Sequence, residues 1–184
     1  MSRYHSISKL AQDGELALAP EGPAEAPGME SPGTEPESPA GTETGPAGAE
    51  NPGFLSHLEE ETAANTDYRR VLFTTPDSQL VLMSVAPGDE IGEETHDLDQ
   101  FIRFESGEGR VVLDDFEAAV KGGDSISVPR GVRHNVINTS DTEDLKLYAV
   151  YSPPQHKRGT VHRTKADETE EHFDGETDTG QSAG

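Results

Sequence analysis

Neither cysteine nor tryptophan occurs among the 184 residues. The first absence excludes disulfides and thiolate chemistry. Basic residues are scarce, with 14 Lys and Arg against 36 Asp and Glu, and the formal net charge is −22. That sign argues against nucleic acid, whose phosphates need a basic surface. No apolar run is long enough to span a membrane. The opening "MSRYHSISKLAQDG" lacks the apolar stretch of a signal peptide. These absences predict a cytoplasmic protein that contacts neither membrane nor nucleic acid. The acidity fits an interaction tail, or a salt-rich cytoplasm that screens self-repulsion. Arg outnumbers Lys nine to five, which suits a halophile or a GC-rich genome alike.

Hydrophobic residues make up only 31% of the chain, so they must be concentrated for a core to form. Residues 1–53 hold two basic and nine acidic side chains, and residues 20–52 contain no aromatic and no β-branched aliphatic residue. This part reads as a disordered acidic Pro/Gly-rich segment. Residues 167–184 hold seven acidic residues and no Lys or Arg, and read as an acidic disordered tail. One domain is expected between them, over residues 54–166.

That middle region reads as β structure. "DYRRVLFTT" precedes a Pro76-Asp77 turn, and "SQLVLMSVA" is an apolar run closed by Pro87-Gly88. In "QFIRFESG", Gln100, Ile102 and Phe104 fall on one face, with Phe101, Arg103 and Glu105 on the other. "GRVVLDD" follows a glycine turn and is expected to pair with it as a hairpin. "FEAAV", "SISVP", "RHNVINTS" and "LKLYAVYS" complete about eight short strands, as in an antiparallel sandwich, jelly roll or barrel. "FLSHLEEETAAN" is a short helix or a lead-in to the first strand. "TVHRTKADETEE" suits a short C-terminal helix capped by Thr160 or Thr164.

Histidine placement carries the chemistry. Glu94 and His96 are two apart, so in a strand both point to one side and can converge on one ion. Gln100 offers a further side-chain carbonyl. In "GGDSISVPRGVRHNVIN", Pro129 and Gly131 turn the chain before His134. If His134 faces inward, so do Val132, Val136 and Asn138.

These segments resemble the cupin family. Its second motif is met in full by Gly123, Pro129, Gly131, His134 and Asn138. Its first is met in frame by Gly88, Glu94, His96, Gln100 and Gly107, with Glu94 replacing the first His and Gln100 replacing the usual Glu. Similarity to small stand-alone cupins extends through "LVLMSVAPGDEIGEETHDLDQFIRF", "LKLYAVYSPP" and "GTVHRTKADE", from about Tyr68 to Glu168. The resemblance implies an all-β, antiparallel double-stranded β-helix with a metal at its open end, and a homodimer. Glu94, His96, Gln100 and His134 are the implied metal ligands.

Two imidazoles and one carboxylate suit non-haem Fe(II), and N and O donors also suit Mn, Ni or Zn. Glu94 is the catalytic candidate, as a ligand or, if unbound, as a general base. Asn138 and the motif glycines are expected to be structural. Asp97 and Asp99 are expected to shape the loop after His96. Arg103, Tyr148 and Tyr151 are expected to pack. His5, His57, His156, His162 and His172 lie outside the motifs and are expected to be solvated. Cupin folds host many activities. The chain is therefore expected to be a metal-dependent enzyme, a dioxygenase or a sugar-phosphate isomerase-like protein, acting on a small-molecule substrate. The alternatives are a non-enzymatic module that binds a small ligand, and a metal-free structural cupin. Against the enzyme, nothing outside the motifs offers an acid/base pair.

Overall fold

The computed structural model describes residues 53–169 and 171–178. The acidic segment expected over residues 1–53 lies outside them, apart from Gly53. Nine strands are present among the described residues: β1 (Arg69–Thr74), β2 (Gln79–Val85), β3 (Asp99–Ser106), β4 (Glu108–Leu113), β5 (Phe116–Lys121), β6 (Ser125–Val128), β7 (His134–Asn138), β8 (Leu145–Ser152) and β9 (Val161–His162). They form a six-stranded sheet in the order β6-β3-β8-β2-β1-β9 and a three-stranded sheet in the order β5-β4-β7. All the pairings between these strands are antiparallel. The result is the expected all-β double-stranded β-helix.

Alternation in the sequence decides which side chains enter the core. On β3, Gln100, Ile102 and Phe104 are buried, as the period of two requires. β2 reads as a continuous apolar run because residues 81–85 are buried on both faces. One apolar cluster joins the two sheets. It includes Val81, Met83, Phe104, Leu145 and Leu147 from the larger sheet and Val111, Val120 and Val136 from the smaller. Each large aliphatic side chain fully buried here contributes about 1.5–3 kcal/mol.

The expected hairpin between "QFIRFESG" and "GRVVLDD" does not form. β3 pairs with β6 and β8, whereas β4 pairs with β5 and β7. Gly107, between them, has φ +86°, and a Cβ there would lie 2.6 Å from the Asp144 carbonyl oxygen. The glycine lets the chain cross from one sheet to the other at a crowded corner instead of folding back. The β4–β5 hairpin forms, through a two-residue loop with Asp114 at φ 50°.

The helix α1 (Leu58–Ala64) follows the lead-in and packs on β8 and β3. Glu59, Glu60 and Glu61 occupy its first turn, where the helix dipole favours negative charge. The expected C-terminal helix is only the 3₁₀ turn η1 (Lys165–Asp167), since part of that stretch is taken up by β9. Asp167 accepts hydrogen bonds from the N–H and Oγ1 of its cap, Thr164, each at 2.8 Å. Barrel contacts continue past the boundary expected at residue 166. Glu168 pairs with Arg69, and Asp178 accepts from the Thr74 N–H at 2.9 Å and from Arg158 at 3.0 Å.

Candidate metal centre

Residues 90–94 run beside β7 and extend the small sheet. The Glu94 N–H donates to the His134 carbonyl, and the His134 N–H to the Glu94 carbonyl, each at 2.9 Å. Residues paired in this way present their side chains to the same face. His96 follows Glu94 by two, and its carbonyl accepts from the Gly131 N–H at 2.9 Å. Gly131 has φ +78°, and this left-handed turn leads the chain into His134. Two short segments, far apart in sequence, are thus stitched together by backbone bonds.

Glu94 Oε2 lies 3.2 Å from His96 Nε2 and 3.8 Å from His134 Nε2. One ligand atom from each residue falls within 4.8 Å of the others. His134 Nδ1 is 3.0 Å from the Val132 carbonyl, so Nδ1 carries the proton and Nε2 keeps its lone pair. His134 is only 4% exposed, and its Nε2 has no hydrogen-bond partner. Such an orphan is costly in a protein interior, and a cation among these atoms would satisfy it. Gln100 faces inward on β3, opposite Tyr151, whose ring centroid is 5.8 Å from that of His96. Its Oε1 is likewise buried without a partner. Nitrogen and oxygen donors of this kind fit Fe, Mn, Ni or Zn.

Electrostatics favour the ligand forms. Burial alone would raise the Glu94 pKa. The hydrogen bond with His96 and the Arg69 charge outweigh it and hold the carboxyl below its ordinary value. Burial lowers the His134 pKa against the opposing pull of Val132 and Glu94, which keeps the imidazole neutral. Metal ligands need both states.

Comparison with known proteins agrees with this architecture. The crystal structure of BH2720 from Bacillus halodurans is 44% identical and superimposes with a TM-score of 0.61, over 62% of this chain and 91% of that one. The cupin domain family matches residues 81–151. The chain belongs to the cupin family. A Bacillus subtilis relative, the uncharacterized protein YrkC, is 43% identical over 121 residues, which are 62% of this cupin and 64% of that protein. The uncharacterized protein L612 of Acanthamoeba polyphaga mimivirus is 40% identical over 116 residues, 61% of this chain and 72% of its own. The cupin therefore spans slightly less than two thirds of the Bacillus subtilis protein.

Of the four expected ligands, Glu94, His96 and His134 meet as one cluster, and Gln100 lies buried on the inward face of β3. Asn138 is structural, as expected, and so is Asp99, which accepts from the Arg130 N–H at 2.9 Å. Tyr148 tilts against Phe101. Tyr151 packs as expected, but against His96 and His156. His57 and His172 are exposed, and His5 lies outside the described residues. The expectation of solvated histidines fails for His156 and His162, which are 8% and 7% exposed. Gln79 grips the His156 backbone from both sides, donating to its carbonyl at 2.8 Å and accepting from its N–H at 2.9 Å. His162 is drawn in because β9 pairs with β1 opposite Arg69.

Arg69, His156 and Glu168 were not foreseen as site residues. All three line a cavity of about 340 Å³ shared with Glu94 and His96. Arg69 is 2% exposed; its Nη2 lies 3.5 Å from Glu94 Oε1, and its Nη1 donates to Glu168 Oε1. One signal was available. On β1, Arg69 is in phase with Val71, so a charged residue occupies the buried face.

Proposed function

We propose that this cupin is a metal-dependent enzyme acting on a small, unphosphorylated molecule, with the metal held by His96 and His134 through Nε2 and by Glu94 through Oε2. The observation that carries the reading is the convergence of those three side chains around a buried nitrogen that lacks a hydrogen-bond partner. Gln100 serves as a weak neutral ligand or as a hydrogen-bond acceptor for a bound molecule. A divalent metal in a two-imidazole, one-carboxylate set supplies Lewis acidity, or oxygen chemistry if it is Fe(II).

The chain's own residues do the rest. Val132 fixes the tautomer of His134. Arg69 holds the second oxygen of Glu94, leaving the first for the metal. A carboxylate held below its ordinary pKa is a poor general base, so Glu94 acts as ligand. His156, which lines the same cavity and has a buried Nε2 without a hydrogen-bond partner, is the residue placed to contact a substrate polar group.

The sugar-phosphate isomerase alternative is disfavoured by charge. Arg69 is the sole Lys or Arg among the residues lining the described cavity, which also include Glu93, Glu94, Glu168 and Glu171. A phosphate would meet mostly like charge. The test is an oxygen-uptake screen of the Fe(II)-loaded protein against small oxidisable compounds. The expected result is substrate-dependent uptake that His134→Ala abolishes. Saturable ligand binding without turnover in any metal form would favour the non-enzymatic module instead.

A further inference from the structure

We infer that the molecule bound at this site carries a single carboxylate, which Arg69 takes in exchange for Glu168. This rests on the metal-centre reading for the part of the ligand that reaches the ion. A buried guanidinium needs compensation, and Arg69 is nearly inaccessible, yet it lines the cavity. Its two carboxylate partners differ in how they are held. Glu94 is fixed by reciprocal backbone bonds to His134 and by its contact with His96. Glu168 lies just beyond the η1 turn, outside any helix or strand, with its side chain one-third exposed at 33%. The turn itself is anchored, since Lys165 Nζ donates to the Glu90 carbonyl at 2.6 Å. Glu168 caps that turn, its N–H donating to the Lys165 carbonyl at 3.1 Å, so its carboxylate is presented to the cavity from one anchored turn and not from a sheet.

Exchange of one carboxylate for another leaves the charge around Arg69 unchanged. A neutral ligand that displaced Glu168 would leave the guanidinium undercompensated in a dry setting. The planar fork of Arg suits a carboxylate, and Arg69 Nε is a further donor, buried and without a partner. His156, which also lines the cavity, has a buried Nε2 without a hydrogen-bond partner. The rest of the lining limits the total charge. Glu93 is drawn towards Arg133 at 3.1 Å, whereas Glu171 has no ion pair among the described residues. A second negative charge on the ligand would face these acids. The class is therefore a monocarboxylate whose remainder is neutral or cationic.

The experiment titrates the full-length chain, both metal-free and Mn(II)-loaded, with propionate and propionamide by calorimetry. Malonate is added to the metal-free set. Propionate should bind Glu168→Ala about tenfold more tightly than wild type in both metal states, on the scale of one charge-assisted hydrogen bond. Propionamide should bind neither, and malonate should bind more weakly than propionate. Adding Arg69→Lys to Glu168→Ala should remove the gain. If Glu168→Ala fails to fold, Glu168→Gln carries the same comparison. Equal propionate affinity in wild type and the Glu168 variants, or propionamide binding as tightly as propionate, would overturn the proposal. The two readings fail separately: a chain that binds no metal but keeps the propionate pattern loses only the metal centre. A chain that binds metal at His96 and His134 but shows no Glu168 effect loses only the carboxylate exchange.

Discussion

His134 and Asn138 stand at opposite ends of one five-residue strand, β7, and both are buried. Asn138 closes its hydrogen bonds. Its Nδ2 donates to the Val85 carbonyl at 2.9 Å and to the Glu143 carbonyl at 2.8 Å, and its Oδ1 accepts from the Ser140 N–H at 2.9 Å. His134 leaves Nε2 without a partner. The same contrast runs along two strands of the larger sheet: β3 passes from Gln100 to Phe104, and β8 from Tyr151 to Leu145. One end of the barrel is packed and satisfied. The other holds buried polar atoms in waiting, on Arg69, Gln100, His134 and His156, and a further one lies on His162, which β9 sets opposite Arg69. A polar residue that serves the fold has its bonds complete, and one that serves a ligand keeps one open.

Substitution at the two ends of β7 should separate these roles. His134→Ala should lower the affinity for Mn(II) by more than about 100-fold, beyond the effect expected from loss of a mere supporting contact. Its urea midpoint, measured without metal, should change little. Asn138→Ala should do the reverse. It strips partners from the buried Val85 carbonyl, the Glu143 carbonyl and the Ser140 N–H, and should destabilise the chain by about 2–4 kcal/mol in urea unfolding. Metal bound per folded molecule should stay the same. Metal loss in Asn138→Ala at unchanged stability would erase the distinction.

Gln100→Glu sharpens the comparison within the open end. A buried carboxylate without a partner is costly, so the metal-free variant should melt below wild type. Metal should narrow or reverse the gap, as the added charge strengthens binding. A scan with and without Mn(II) measures both. An equal loss in both states would take Gln100 away from the ion.

A further comparison concerns pH. Burial, with the Arg69 charge adding to it, pushes the His156 imidazole down from 6.5 to about 3. Between those values the unfolded chain binds a proton that the folded chain does not. His156 therefore imposes no penalty above pH 6.5, and stability is lost as pH falls from there towards 3. The slope has a ceiling of about 1.4 kcal/mol per pH unit. His156→Phe, which keeps a ring against Tyr151, should flatten the metal-free stability profile in that window. An unchanged profile would mean that His156 is solvated.

Much of the barrel and the clustering of three of the four candidate ligands were legible because they depend on local pattern. Period-two alternation placed Gln100, Ile102 and Phe104 inward, and the spacing of Glu94 and His96 set them on one side. What escaped depends on contacts between distant segments. The Gly107 corner looks like a hairpin turn until Asp144 is known to crowd it. His156 looks like a loop histidine until Gln79, on β2, grips its backbone. Glu168 looks like one more acid of a charged tail, because nothing near it in sequence reveals Arg69. Composition reads residues 167–184 as an acidic tail but could not show that its first residues return to the barrel mouth.

Whether His96, His134 and Glu94 share one cation is read from metal stoichiometry. The full-length chain is loaded in turn with Fe(II), Mn(II), Ni(II) and Zn(II), dialysed, and assayed by elemental analysis beside the double variant His96→Ala/His134→Ala. For at least one metal, about one equivalent should remain on the wild type and less than about a tenth on the variant. Less than about a tenth of an equivalent of every metal on the wild type, or equal retention by the two proteins, would mean that these residues hold no common ion.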